Sequence, residues 1–507
     1  QDVARTMHNL ARSQIVVSNS EESIRLYEKA IEIREKILGA DSPDLATSLN
    51  SLGVVYSNLG DYDKAEQLMR RALEIKEKTL SPNSVSIAAS LSSLAGIYSR
   101  KGDEEKSIEL YQRALAIREK SLDPDHPEVA RSLDYLATAY RTKGNYIKAE
   151  TDYLRALNIL QKAFGLEHYR IARTLGNLAV LYQLKGDYAK AEPLFVQTVE
   201  MMEKTVGKTH TDYATALYNL AKFYTDRGDY RKAEPFYQQA ISIAEKLFGS
   251  QHPDVITYLN GLGRNYLANG ETNQAINLWS LAHKLSEGNI QLILFTNSER
   301  QKLLYLDSLS GETNQYISAH LKFAPSDSTA LETALTTIFE RKGRVLDAMA
   351  FEFASLRNRF DKDDQILLDK LKKVTSQLSQ KILNGAENIS LETHQKEIKN
   401  LEEQKENLEV EISRKNSLFR SQIQPVTIVA IKSAIPENSA LIEFGVYCPF
   451  DAKAVGEKKA FGEPRYFAYI IRNQGEIKWK DLGETKQIDD SIELFRATLR
   501  DPKRNDV

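Results

Sequence analysis

The chain has one reactive thiol and one regular array of imidazoles. Cys448, the only cysteine among 507 residues, stands in the stretch ALIEFGVYCPFD, 440–451. A cysteine nucleophile works as the thiolate and needs a base within hydrogen-bond reach to become one. The nearest histidine in sequence, His394, belongs to a different, helical segment, so Cys448 reads as an ordinary residue at the end of a strand. A lone cysteine also excludes a disulfide framework and a cysteine-based zinc site, and it fits a reducing, cytoplasmic setting. His126, His168, His210 and His252 recur every 42 residues, twice as His-Pro. Stacked structural units would hold such residues about 10 Å apart, whereas one metal ion needs each nitrogen at roughly 2.0–2.1 Å. Helix-start packing or capping is therefore expected of them, with no metal and no cofactor.

The histidine period belongs to a larger repeat. LGDYDKAE (59–66), KGNYIKAE (143–150), KGDYAKAE (185–192) and RGDYRKAE (227–234) share the 42-residue spacing, and glycines mark the same place at Gly60, Gly102, Gly144, Gly186, Gly228 and Gly270. Each unit places Leu and Tyr at i and i+4, one face of a helix, before the glycine. Small alanines follow where a second helix must come close, as in Leu220, Tyr224, Gly228, Ala233, Tyr237 and Ala240. The recurring tyrosines are expected in the core. This is the helix, tight turn, helix spacing of tetratricopeptide (TPR) repeats, lengthened by eight residues in a manner that resembles the units of kinesin light chain. With a weaker first unit around SNSEESIRLYEKA there are seven helix pairs over residues 1–286, enough for an α-solenoid.

In such an array the first helix of each pair faces a concave groove. The positions flanking the core Leu and Tyr vary from unit to unit, as a groove reading one peptide requires. Asn50, Arg100, Asp134, Arg141, Tyr218, Lys222, Asn260 and Arg264 are the candidate partner-binding residues, with Val54, Ser92, Gly96 and Thr138 beside them. Amides both donate to and accept from an extended backbone, and cations suit acidic side chains. The expected ligand is an acidic or mixed-charge protein segment.

After 286 the rhythm stops. Residues 287–424 read as a helical region ending in two long amphipathic helices, DDQILLDKLKKVTSQLSQKIL and LETHQKEIKNLEEQKENLEVEISRKNSLFR, joined by LNGAENIS as an antiparallel hairpin. The class changes from 425. A short helix TIVAIKSAI is followed by SALIEFGVY, RYFAYIIR and EIKWKDLG, rich in β-branched and aromatic residues and bounded by Pro, Gly and Asn, hence strands, with RNQGE as a hairpin turn. IDDSIELFRATLR returns to helix. Three strands and two helices cannot close a core alone, so 425–507 is expected to be the opening part of an α/β domain. The chain also begins without an initiator Met and is expected to be a fragment at that end.

The order of these pieces, long TPR units, ERKGRVLDAMA, LEVEISRKNSLFR, ALIEFGVYCPFD, RYFAYIIRNQG and DLGETKQIDDSI, resembles the start of a CHAT protein, the caspase-like family associated with TPR arrays. The resemblance spans nearly the whole chain. It implies an α/β peptidase domain with a His after one core strand and a Cys in an SAC-type turn after the next. Neither motif occurs before RDPKRNDV, so this chain is expected to be inactive on its own. Three functions compete. One is a scaffold regulating an attached caspase-like peptidase, another a pure TPR adaptor with a degenerate CHAT-like end, and the third a subunit of a partner-activated immune or CRISPR-type protease complex. Lys and Arg number 68 against 70 Asp and Glu, so no global field attracts nucleic acid or an anionic membrane, and no apolar run is long enough to span one.

Overall fold

The computed structural model describes residues 2–16, 20–296, 299–342, 362–384, 391–416, 427–455 and 460–499. It is mainly helical, a TPR solenoid followed by a small three-stranded sheet. Two compact units divide it, Gln1–Phe223 and Tyr224–Val507.

In the first unit α1 (Asp2–Val16) pairs with α2 (Ser20–Leu38), α3 (Pro43–Asn58) with α4 (Tyr62–Thr79), and α5 (Val85–Arg100) with α6 (Glu104–Ser121). Two further pairs follow, α7 (Pro127–Thr142) with α8 (Tyr146–Phe164) and α9 (Tyr169–Leu184) with α10 (Tyr188–Val206), before α11 (Thr211–Arg227) opens the next repeat. The repeated motif explains each pair. The glycine ends the first helix in the left-handed region, with φ of +82° at Gly60, +78° at Gly102 and +84° at Gly144, where only glycine avoids a Cβ clash. The next residue caps the second helix: the carboxylate of Asp103 accepts from the Lys106 N–H at 3.2 Å, and Asn145 and Asp187 do the same for Lys148 and Lys190. Alanines 65, 149 and 191 then sit fully buried against the first helix.

The consensus tyrosines are core residues with a polar tip. The Tyr98 hydroxyl donates to Glu66 at 2.6 Å and that of Tyr182 to Glu150 at 2.8 Å, so the KAE glutamate of one repeat ties down the tyrosine of the next. Consecutive first helices, α3, α5, α7 and α9, also touch one another, as the inner row of a stack must.

The second unit begins with the rest of the array, α12 (Tyr230–Phe248), α13 (Pro253–Ala268) and α14 (Thr272–Thr296). The boundary expected at 286 falls inside α14, which runs through it. The last pair buries Trp279 in a cluster with Tyr316, Phe450, Ala452 and Ala460 from the middle and carboxy-terminal regions. Apolar burial continues across the expected boundary, so the contacts that define a compact unit do too.

The middle helices are α15 (Glu299–Ser308), α16 (Ser310–Ser318), a π-helical turn (Ala319–Phe323) and α17 (Ser328–Lys342). The long pair α18 (Lys362–Asn384) and α19 (Leu391–Asn416) is antiparallel: Ile412 packs on Leu367 and Leu371, while Lys381 reaches Glu397 at the opposite end. Most of ERKGRVLDAMA and of the connection LNGAENIS, and the end of LEVEISRKNSLFR, lie outside the described residues.

After α20 (Ile428–Ala434) come β1 (Ala440–Tyr447), β2 (Arg465–Arg472) and β3 (Lys478–Glu484), then α21 (Thr485–Leu499). The strands form an antiparallel meander in chain order, with Phe444 opposite Ala468 and Tyr469 opposite Trp479. One face packs Phe467, Tyr469 and Ile471 on Ile317, Leu321, Leu335 and Ile338. The other leaves Ile442, Phe444 and Val446 about half exposed.

Candidate functional site

The eight residues expected along the inner face fall into four situations. Arg100, the last residue of α5, lines a cavity of about 390 Å³ together with Val54, Ser92 and Gly96, all groove positions of the repeat pattern. Asn50, Arg141, Tyr218 and Lys222 are half-buried on first helices of the same unit, and the Asn50 Oδ1 is buried without accepting a hydrogen bond.

Asp134 is not a surface group. It is 4 % exposed, accepts from Asn177 Nδ2 at 3.3 Å and lies 4.0 Å from Arg173, and burial pushes its carboxyl pKa up against the pull of that guanidinium. Its place is the packing between neighbouring first helices, where a charge costs less if a cation faces it.

Asn260 and Arg264 are already used by the chain itself. Asn260 donates from Nδ2 to Glu312 at 3.1 Å and accepts from the Tyr316 hydroxyl at 3.2 Å, both on α16. Arg264 donates to the backbone carbonyls of Ala452 and Ala454 at 3.0 and 2.6 Å and pairs with Asp226 at 2.7 Å. The expectation that both face an open groove is corrected by these contacts. In the last repeat the position two residues beyond the core leucine holds the segment after β1.

The histidine array proves to be a set of caps. Nδ1 of His126, His168, His210 and His252 accepts from the backbone N–H two residues on, at 3.1–3.2 Å, at the start of each first helix. A different histidine, not singled out by the repeat, joins two acids: His283, Glu287 and Glu340 bring ligand atoms within 4.8 Å of one another among buried and half-buried side chains, the arrangement here that could hold a metal. Both its ring nitrogens are also 3.3 Å from threonine hydroxyls, those of Thr336 and Thr337, so the imidazole has protein partners already. Cys448 follows β1, its N–H held by Asn314 Oδ1 at 3.0 Å. Burial, then Glu463, pushes its thiol pKa up, the direction opposite to that of an activated nucleophile.

Sequence reasoning missed the floor of the cavity. Arg118, on α6, is 1 % exposed and lines it with Arg131, Tyr111 and Tyr135. The signal was present in the 42-residue spacing of Arg34, Lys76 and Arg118, three cations on core-facing turns of successive second helices.

The model of the tetratricopeptide repeat matches residues 2–78, 86–151, 135–204 and 212–285, together more than half of the chain. The chain belongs to the tetratricopeptide repeat family. Kinesin-light-chain-like TPR proteins are among the solved structures similar to this TPR protein. BtubC (BKLC) from P. vanneervenii shares 26 % identity over 48 % of this chain and 94 % of its own, with a TM-score of 0.36. A putative kinesin light chain of Podosopora anserina with nearly identical TPR-like repeats shares 24 % over 48 % and 94 %, with a TM-score of 0.27. The apo form of RapI is similar at 16 % identity over 56 % and 97 %, with a TM-score of 0.43. No curated protein matches. TPR arrays are scaffolds for protein–protein interaction, and among the described residues no helix is long and apolar enough to cross a membrane.

Proposed function

We propose that the inner face of the first unit, from Asn50 on α3 to Lys222 on α11, binds an acidic or mixed-charge segment of a protein partner, and that this binding regulates an attached caspase-like domain of the CHAT type. The observation that carries the binding half is the cavity at Arg100. It includes the positions of Val54, Ser92, Gly96 and Arg100, which vary between repeats, and no acidic residue lines it among the described residues. Asn260 and Arg264 drop out of the binding set because α16 and the 452–454 segment occupy them.

The regulatory half is supported by the order of the motifs named above, and by a sheet packed on the helices that follow the array. A His-Gly and Ser-Ala-Cys pair encoded beyond Val507 would support it, and a downstream sequence without them would leave the adaptor reading.

The binding half is tested with a defined set of fluorescent peptides of graded charge. Acidic peptides are expected to bind most tightly, and Arg100→Glu to weaken them at least about 10-fold. Lys162→Glu on α8, an exposed cation paired with Asp125, serves as the control away from the cavity. Loss of binding with the control but not with Arg100→Glu would overturn the inner-face assignment.

A further inference from the structure

The first three repeats each bury a cation at the same point of the second helix. Arg34, Lys76 and Arg118 are 7 %, 6 % and 1 % exposed. Each donates to a serine that also recurs every 42 residues: Arg34 to Ser48 at 2.6 Å, Lys76 to Ser90 at 2.9 Å and Arg118 to Ser132 at 2.7 Å. Hydroxyls satisfy donors but do not neutralise charge, and a buried ion without a counter-ion is destabilising. The next three repeats carry Leu160, Met202 and Ala244 at the same position, so the fold itself does not need a cation there.

Arg118 differs from the other two in what lies beside it. Its side chain lines the cavity on the inner face, with Nη1 also donating to Ser92 at 3.1 Å, while its Nε, like that of Arg34, is buried and unbonded. Arg131 lines the same cavity and leaves its own Nε buried and unbonded while its Nη2 pairs with Glu128. Arg100 lines it as well. Three arginine side chains thus line one space that no carboxylate lines among the described residues, and in two of them Nε is buried and unbonded. Guanidinium N–H groups in a fixed fork are the matching partner of an oxyanion.

We propose that this cavity is an oxyanion receptor, in which Arg118, Arg131 and Arg100 take the carboxylate or phosphoryl group of a side chain in the bound protein segment. The proposal rests on the inner-face reading above for the carrier of the anion, but not for the site itself.

The design of the repeat supplies the decisive variant. Arg118→Met installs the residue that repeat 5 already carries at this position, so the chain is expected to fold, and to melt no lower than the parent once an unpaired buried charge is gone. Inorganic phosphate and acetate serve as small probes, read by the rise in melting temperature that a ligand of the native state produces. Three peptides of one sequence, with phosphoserine, aspartate or asparagine at the anchoring position, serve as the larger ones. The parent is expected to gain melting temperature with phosphate or acetate and to bind at least one anionic peptide about 10-fold more tightly than the asparagine peptide. Arg118→Met is expected to abolish both effects, whereas Lys76→Met retains them. The phosphoserine and aspartate arms decide between phosphoryl and carboxylate. An Arg118→Met protein that responds to the probes and discriminates the peptides as the parent does would overturn the receptor. If phosphate or acetate senses Arg118 but no acidic peptide binds, the receptor stands and the peptide reading falls. If peptides bind and Arg100→Glu weakens them without any dependence on Arg118, the reverse holds.

Discussion

At the scale of single residues, two buried or half-buried groups of the carboxy-terminal part carry definite expectations. His320 is 1 % exposed and its Nδ1 meets the Tyr469 hydroxyl at 2.8 Å, between the middle helices and the sheet. Burial lowers its pKa to about 4, against a slight opposing pull from the Pro325 backbone and Asp327. A pKa depressed in the folded state means the neutral ring is favoured there, so the contribution is complete above the unfolded value near 6.5 and is lost as pH falls towards 4. The attachment of β2 to α16 and α17 is expected to weaken over that window by at most about 3 kcal/mol. Urea denaturation followed at Trp479 should show the dependence, and His320→Gln should flatten it; an unchanged profile in the variant would count against this assignment. Cys448 carries the opposite kind of expectation. With its thiol pKa raised, alkylation at neutral pH should run no faster than for a free thiol, and any peptide cleavage by the chain that disappears in Cys448→Ala would contradict the reading.

At the scale of elements, one dipeptide organises each helix pair. Gly186 has φ +78° with open space around it, so a side chain there meets no obstacle except its own backbone. Gly186→Ala is expected to cost about 1–2 kcal/mol, the penalty of the left-handed conformation. Asp187→Ala removes the cap from α10 and should cost about 1 kcal/mol. The two act on adjacent residues of one turn, so the double variant is expected to fall short of their sum. Thermal melts of the three proteins check both the sizes and the coupling. A cost near zero for Gly186→Ala would mean that the turn adopts another geometry.

At the scale of the whole molecule, the last repeat is a partner of the regions after it. Trp279 is almost fully buried among Tyr316, Phe450 and Ala460, and Arg264 holds the carbonyls of Ala452 and Ala454. A chain starting at 287 loses those contacts, while one starting at 224 keeps them. Amide exchange in 440–472 is therefore expected to be slow in the longer fragment and markedly faster in the shorter one. Equal protection in both would show that the sheet is held by the middle helices alone. In the full chain Arg264→Ala should raise exchange around 448–455 without touching repeats 1 to 5, since distant sites act independently.

The 42-residue period, the glycine turns, the caps and the three strands were legible in the residues because each rests on local chemistry: backbone freedom at glycine, a carboxylate one turn from an N–H, alternation along a strand. The histidine caps were legible for the same reason, since geometry two residues apart is set by the chain. What a side chain on the inner face meets was not legible, because it depends on which distant segment comes to lie there. Asn260 and Arg264 share a repeat position with Ser92 and Gly96, respectively, yet the first two are covered by α16 and the 452–454 segment, whereas the latter line a cavity. Arg118 shows the same limit from the other side. Its place in the repeat predicts burial, but only the packing of α5, α6 and α7 decides that its charge looks into a cavity shared with two more guanidiniums.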